Sequence, residues 1–279
     1  MGRDSAHLKL QNAVMDKRRA SVKDAVLPRS PSGWLERAGG FLLDQLYPPT
    51  CLYCDTPIAG AEGLCADCWR GLRPITAPLC PVLGLPFAVS LGPEARSAEA
   101  IADPPPFDRA RSAVIYNDIA RAIVSRLKYG DRPELARFCA RTMVTACAEI
   151  LEGDPVLVPV PLHRFRQWQR RYNQSTELCR ALSEMCSLDI APLLVRRTRR
   201  TLQQVGLGKD QRARNVAGAF TVRPEALAPI AGRRVVIVDD VITTGATVKA
   251  LTRTLKRAGI EQIDVISFAR VVIGGDLPI

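Results

Sequence analysis

One stretch of the chain decides its fold, and it reads Val235-Val236-Ile237-Val238-Asp239-Asp240-Val241-Ile242-Thr243-Thr244-Gly245-Ala246-Thr247. Its first four residues are apolar β-formers, as expected for a strand that is buried on both faces of a parallel sheet. Two adjacent carboxylates follow, and a short Thr/Gly loop then leads into a helical pattern. Ligands of open α/β sheets bind outside the carboxyl ends of the strands. The stretch therefore predicts a ligand site centred on Asp239 and Asp240.

The loop after the acidic pair suits a phosphate group. Its backbone N–H groups and the helix N-terminus behind them form a nest for an anion, and Gly245 permits a close backbone approach that a Cβ would hinder. Hard carboxylate oxygens suit the hydroxyls of a ribose, or a Mg²⁺ ion that bridges to them. The Thr/Gly loop alone is also typical of an ordinary capped helix start. For the whole stretch the ligand site is favoured, because two adjacent carboxylates repel each other and are unfavourable as mere structure.

Strand and helix patterns alternate along the rest of the C-terminal part. The predicted strands cover residues 112–116, 156–160, 235–238 and 265–268. Predicted helices lie between them; Asp118 is a candidate cap for the first and Gly259 closes the last. This alternation predicts an α/β fold with a mostly parallel sheet and flanking helices. We detect no internal repeat.

The chain is predicted to divide into four parts. Residues 1–33 form a disordered extension, residues 34–90 a helix and a cysteine module, residues 91–106 a linker rich in Ala, Glu and Pro, and residues 107–273 the α/β domain. No apolar run approaches the roughly 20 residues that span a bilayer. The polar, basic N-terminus is unlike a secretory signal. A cytoplasmic location is therefore expected.

Four of the 9 cysteines form two Cys-x-x-Cys pairs: Cys51 with Cys54, and Cys65 with Cys68. In a reducing compartment this spacing favours a metal over disulfides. Four thiolates suit a tetrahedral, closed and therefore structural Zn²⁺ site. Redox disulfides are the alternative, but the pairs lack the βαβ context typical of redox motifs.

The formal net charge of +11 indicates anionic partners, either phosphate-bearing small molecules or nucleic acid. Arginines cluster within residues 163–171 and 196–200, and guanidinium groups bind phosphate oxygens bidentately. Phe165, Trp168 and Tyr172 lie among the first cluster, an arrangement that also suits single-stranded DNA. A solvated basic surface is the third interpretation.

The Val235–Thr247 stretch resembles, at every position, the phosphoribosyl-diphosphate signature of type I phosphoribosyltransferases. The resemblance implies that Asp239 and Asp240 contact the ribose hydroxyls, and that Mg²⁺ accompanies the ligand. It also implies a loop that holds the 5′-phosphate, formed by Thr243, Thr244, Gly245, Ala246 and Thr247.

Further segments look like the ComF family, known in competence for DNA uptake: Leu127-Lys128-Tyr129-Gly130-Asp131-Arg132-Pro133, Val158-Pro159-Val160-Pro161-Leu162, Tyr172-Asn173-Gln174, Gln203-Gln204 and Arg214-Asn215-Val216-Ala217-Gly218-Ala219-Phe220. This resemblance implies a phosphoribosyltransferase domain with an N-terminal zinc ribbon, linked to nucleoside metabolism and DNA uptake. Arg164 and Asn173 are then expected to contact the ligand. The family usually has Arg-Gly where this chain has Arg170-Arg171.

ComF proteins often carry a double zinc ribbon with a further Cys-x-x-Cys-Gly motif. Here that motif reads Cys80-Pro81-Val82-Leu83-Gly84, so one cysteine is missing. We therefore predict one zinc ion per chain, held by the two complete pairs.

Two functions remain open from the sequence. In the first, the protein is an enzyme in which a nucleophile displaces diphosphate from the ribose, with Mg²⁺ stabilising the leaving charge. In the second, it is a non-catalytic accessory factor that binds single-stranded DNA or competence proteins. Retained binding of phosphoribosyl diphosphate is compatible with both.

Overall fold

The computed structural model describes residues 48–60, 62–129, 133–162, 173–198 and 218–272. The described residues from Pro49 onward belong to one compact unit. The predicted extension at residues 1–33 and the predicted helix at residues 34–46 lie outside the described residues.

A four-stranded sheet forms the centre of this unit. Its strands are β1 (Ala110–Ile115), β2 (Val156–Pro159), β5 (Val235–Ile242) and β6 (Ile263–Arg270). The spatial order is β1-β6-β5-β2, and every neighbouring pair is parallel. A separate antiparallel pair is formed by β3 (Val195–Arg197) and β4 (Phe220–Val222). The predicted α/β fold with a parallel sheet is confirmed.

The described helices flank this sheet or belong to the cysteine module. They are α1 (Ala66–Gly71), α2 (Ala98–Ala102), α3 (Asp118–Tyr129), α4 (Pro133–Ala146), α5 (Ala148–Leu151), α6 (Gln174–Cys186) and α7 (Ala246–Arg257). Two 3₁₀ turns, Pro224–Ala226 and Ala228–Ile230, precede β5.

The sheet separates two apolar layers because alternate residues of a strand point to opposite faces. On β5, Val236 and Val238 join the layer that contains α3, α4 and α6. Val235 and Ile237 join the opposite layer, which contains α7 and part of the cysteine module. All four side chains are fully buried, which explains why the strand reads as a continuous apolar run.

Three local predictions are corrected by the structure. Asn117, not Asp118, caps α3, because its Oδ1 accepts the Ala120 N–H at 3.0 Å. The helix predicted to run from Pro133 to about residue 151 is interrupted at Cys147 and forms α4 and α5. Strand β5 continues through the acidic pair to Ile242, so the carboxylates lie within the strand and not after it.

The predicted linker at residues 91–106 contains helix α2, whose Ala100 is buried. Upstream of it, the segment between α1 and Cys80 covers the edge of β1. There, Pro74 bridges to Val114, and Ile75 N–H donates to the Ala113 carbonyl at 2.9 Å. The boundaries between the modules remain predictions.

The expectation of no internal repeat is wrong. Residues 49–58 and 78–87 share one pattern of backbone hydrogen bonds. The prolines at both ends of each segment are the sequence signal that could have revealed the repeat.

Among the described helices, none combines the length and the apolar character needed to cross a bilayer. The cytoplasmic location stays a prediction.

Candidate functional site

The acidic pair lies near the carboxyl end of β5, where α3 and α6 reach the sheet. Asp239 Oδ1 accepts hydrogen bonds from the Ser175 hydroxyl at 3.3 Å and from the Asp240 amide at 3.0 Å. Asp240 Oδ1 accepts from the Val241 amide at 2.8 Å, and its Oδ2 lies 3.4 Å from Lys128 Nζ. Three elements distant in sequence therefore meet at two adjacent carboxylates.

The two carboxylates differ in their surroundings. Burial raises the pKa of Asp239 well above its usual range, and the neighbouring charge of Asp240 raises it further. The Lys128 ammonium contacts Asp240 and not Asp239. Ionisation of Asp239 is therefore unfavourable in the ligand-free protein, and its carboxyl group is well suited to hydrogen bonding.

The predicted phosphate loop follows directly. Thr243, Thr244 and Gly245 connect β5 to α7, and Ala246 is the first helical residue. Gly245 has a φ of 74°, in the left-handed region that favours glycine. The Thr244 hydroxyl accepts the Ala246 N–H at 3.5 Å. The loop therefore ends at the N-terminus of a 12-residue helix, where backbone N–H groups favour anions.

A second lysine borders this loop. The Lys249 N–H donates to the Gly245 carbonyl at 2.9 Å, so Lys249 lies one helical turn beyond the loop. Its Nζ forms an ion pair with Asp103 Oδ2 at 2.9 Å and also donates to the Asp103 carbonyl at 3.2 Å. Because Asp103 follows α2, the segment predicted as a linker contacts the helix of the phosphate loop.

The structure gives Asn173 a structural position. Its Oδ1 accepts the Ser175 N–H at 3.2 Å and caps α6, and its Nδ2 donates to the Val160 carbonyl at 3.0 Å. These bonds fix the start of α6 and thereby place Ser175 against Asp239. A ligand contact by Asn173 remains a prediction. Arg164 lies outside the described residues.

Sequence reasoning missed Lys128 and Ser175 as members of the site. Lys128 lies in a segment that resembles a family motif, and this resemblance was a signal from which a role in the site could have been predicted. Ser175 carries no sequence signal, because its role comes from the packing of α6 against β5.

The four predicted zinc ligands converge. The Sγ atoms of Cys51, Cys54, Cys65 and Cys68 all lie within 4.8 Å of one another. Hydrogen bonding with Thr56 lowers the pKa of Cys54 to about 6, whereas burial raises the pKa of Cys68 above its usual range. Four convergent thiols on two turns fit a structural Zn²⁺ ion, which would supply folding free energy and no open coordination position.

The zinc ribbon is docked onto the α/β domain by polar contacts. Arg126 of α3 donates to the Leu52 carbonyl at 2.8 Å and pairs with Asp55 at 2.9 Å. Leu52 and Leu72 are buried in the same apolar layer as α3. The ribbon and the sheet therefore share one core.

Two family models match the chain. A double zinc ribbon domain matches residues 42–102, and a phosphoribosyl transferase domain matches residues 188–275. The second match includes β5, the acidic pair, the loop and β6.

Curated relatives match about four fifths of the chain. DNA utilization protein YhgH of Escherichia coli K12 is 33% identical over 231 residues, which cover 81% of this chain and 98% of the relative. The chain belongs to the ComF family. Competence protein F of Haemophilus influenzae is 29% identical over 229 residues, covering 79% of this ComF-family chain and 96% of the relative.

Among solved structures, the ComF-family chain is similar to an adenine phosphoribosyltransferase from Thermoanaerobacter pseudethanolicus. The sequence identity is 17% and the TM-score is 0.32 over 56% of this chain and 87% of that chain.

Proposed function

We propose that this protein binds phosphoribosyl diphosphate together with Mg²⁺ at the carboxyl edge of its sheet. The observation that carries the proposal is the acidic pair near the carboxyl end of a strand that leads into a glycine-containing loop and a helix N-terminus. Asp239 and Asp240 accept hydrogen bonds from the ribose hydroxyls, and residues 243–247 surround the 5′-phosphate. Mg²⁺ neutralises charge on the diphosphate when it is bound.

The positions of Ser175 and Lys128 support this assignment. Ser175 donates to Oδ1 of Asp239 and so holds that carboxyl group at the edge of the sheet where the ribose is proposed to bind. Lys128 offers a positive charge to Asp240 and to an anionic ligand nearby.

We further propose a role in DNA uptake or utilisation, on the basis of the names of the curated relatives. Ligand binding serves this role either through transfer of the phosphoribosyl group or through regulation of an accessory factor. An assay of diphosphate release separates the two, because only the enzyme produces diphosphate in proportion to an added acceptor.

The test is a calorimetric titration of phosphoribosyl diphosphate with Mg²⁺ into the full chain. We expect binding by the wild type and at least a hundredfold loss, about 3 kcal/mol, in Asp239→Asn/Asp240→Asn. The control Asp118→Asn/Glu225→Gln changes two exposed acidic residues and should keep the wild-type affinity. Equal affinities in the wild type and the Asp239/Asp240 variant would contradict the assignment.

A further inference from the structure

The cysteine module is built from two copies of one ribbon. In each copy a β-bridge closes the turn, between Thr50 and Pro57 in the first and between Leu79 and Pro86 in the second. Three backbone hydrogen bonds also match. In the first copy they run from Cys51 N to Thr56 O, from Asp55 N to Cys51 O and from Ile58 N to Pro49 O. In the second copy they run from Cys80 N to Leu85 O, from Gly84 N to Cys80 O and from Phe87 N to Pro78 O. Every position of the second copy follows its counterpart at the same offset. Cys80 therefore corresponds to Cys51, and Leu83 corresponds to Cys54.

The second half of each ribbon is a short helix. Cys65 precedes α1 with φ −65° and ψ 164°, and Ser97 precedes α2 with φ −65° and ψ 154°. The Trp69 N–H donates to the Cys65 carbonyl, and the Ile101 N–H donates to the Ser97 carbonyl in the same way. Ser97 therefore corresponds to Cys65, and Ala100 corresponds to Cys68.

The four metal-ligand positions of the second ribbon cannot hold zinc. They are occupied by Cys80, Leu83, Ser97 and Ala100. Leu83 and Ala100 have no donor atom, and the Ser97 hydroxyl accepts the Ala100 N–H as the cap of α2. One thiol remains, and its Sγ accepts backbone N–H groups from Leu83 and Ser97, both at 3.4 Å.

These positions have become part of the apolar core. The exposed fractions are 0% for Cys80, 4% for Leu83 and 2% for Ala100, and all three belong to the layer that also contains α7. In the first ribbon, by contrast, Cys54 is exposed and Cys65 is half-buried. Three of the four metal-ligand positions of the second ribbon therefore pack as core side chains.

Three successive carbonyls of the second turn are bound by the sheet. Arg111 of β1 donates to the Pro81 carbonyl at 3.0 Å, and Ala110 N–H donates to the Val82 carbonyl at 2.7 Å. Arg270 of β6 donates to the Leu83 carbonyl at 3.0 Å. These hydrogen bonds hold the second turn in place, as a metal ion would hold the first.

We infer that the second ribbon is a metal-free copy of the first, folded by apolar packing and by Arg111 and Arg270. The double zinc ribbon model that matches this region implies two metal sites, and the residues present fit one. The first ribbon depends on zinc, whereas the second stays folded without it.

The first test is metal analysis of the full chain expressed in zinc-replete medium. We expect one zinc per wild-type chain, no change in Cys80→Ala, and loss of zinc in Cys51→Ser. Leu83→Cys/Ser97→Cys/Ala100→Cys completes a set of four thiols at the second position and should raise the content to two. Two zinc ions in the wild type, zinc loss in Cys80→Ala, or a folded triple variant that stays at one would overturn the inference.

The second test does not depend on the folding of a variant. Hydrogen exchange of the wild-type chain is compared before and after zinc removal by a chelator. Residues 49–72 should lose protection, and residues 78–103 should keep it. Equal loss in both segments would show that the second ribbon also depends on metal.

Discussion

Asp239 and Asp264 are carboxylates on adjacent strands of one sheet, with opposite surroundings. Asp264 is buried between two guanidinium groups, Arg109 at 2.8 Å and Arg234 at 3.1 Å. Asp239 has a hydroxyl and an amide as partners, and burial together with Asp240 raises its pKa. Asp264 is neutralised by the protein itself, whereas the hydroxyl and the amide that donate to Asp239 are uncharged, in agreement with the proposed ligand site.

We expect Asp239→Asn to stabilise the ligand-free protein at pH 8, by about 3 °C in Tm. The pKa of Asp239 is raised on folding, so its stabilising contribution is complete below about pH 4 and is lost as the pH rises through the folded pKa. The difference in Tm between variant and wild type should therefore shrink toward pH 4. Thermal unfolding followed by circular dichroism measures it. Asp264→Asn should lower Tm, since it removes the anion between the guanidinium groups of Arg109 and Arg234. A change in Tm of the same sign in both variants would contradict this interpretation.

Lys128→Met should weaken binding of phosphoribosyl diphosphate about tenfold, or about 1.4 kcal/mol. Lys128 Nζ lies 3.4 Å from Asp240, so its removal deletes a positive charge from the edge of an anion site. Lys256→Met is the matched control, because Lys256 lies at the far end of α7 and 3.8 Å from Asp108. Calorimetry should find the control unchanged. Unaltered affinity in the Lys128 variant would remove Lys128 from the site.

At the scale of elements, Lys249 of α7 forms an ion pair with Asp103, the residue after α2. Substitutions of the two partners should change the affinity for phosphoribosyl diphosphate in opposite directions. Lys249→Met removes the positive charge that pairs with Asp103 near the phosphate loop, so affinity for phosphoribosyl diphosphate should fall about threefold. Asp103→Asn frees the Lys249 ammonium and should raise the affinity by a similar factor. The side chain of Asp103 is 43% exposed, so solvent screening keeps both effects small. Titrations at low and high salt should show both effects shrinking with salt; shifts of the same sign would refute the electrostatic explanation.

Local patterns predicted the elements that determine the site. The apolar run at Val235–Val238, the acidic pair and the Thr/Gly loop are contiguous, so β5, its ligand edge and α7 could be read directly from the sequence. Lys128 and Ser175 could not be predicted in this way, since α3 and α6 bring them to Asp239 and Asp240 only through tertiary packing. The exact end of β5 depended on pairing with β6, which no local pattern contains.

The second ribbon carries only a partial signal in the sequence, because its Cys80–Gly84 motif keeps one cysteine. The other three metal-ligand positions of this copy carry other residues: Leu83, Ser97 and Ala100. What the copies share is backbone geometry, including a positive φ of 59° at Asp55 and 62° at Gly84. At Gly84 a Cβ would collide with the Ala110 carbonyl oxygen, so the second copy requires glycine where the first tolerates aspartate.

For the whole molecule, the formal net charge of +11 invites a test of DNA binding. We expect weak binding of single-stranded DNA that falls steeply with salt, because each phosphate contact releases counterions. Of the second arginine cluster, Arg196 is exposed, whereas Arg197 is buried with its guanidinium 5.5 Å from the centre of the Phe220 ring. Arg199 and Arg200 lie outside the described residues. Arg197 is therefore left intact in the test.

Arg196→Ser/Arg199→Ser/Arg200→Ser should reduce DNA affinity and flatten its dependence on salt. A matched control, Arg253→Ser/Lys256→Ser/Arg257→Ser, removes the same charge from exposed positions on α7. Fluorescence anisotropy at two salt concentrations compares the three proteins. Equal losses in both variants indicate attraction by net charge alone, and absence of binding at low salt eliminates the DNA hypothesis.

The position of β6 has a consequence for how this chain is made. Strand β6 lies between β1 and β5, although it is the last of the described strands to be synthesised. On the ribosome, β1 and β5 emerge before the strand that lies between them, and the edges that pair with β6 stay open until Arg270 has left the exit tunnel. The four cysteines of the first ribbon emerge far earlier, so zinc loading can precede completion of the sheet. A nascent chain that stalls before Ile263 would hold its metal and yet expose open strand edges to chaperones and proteases.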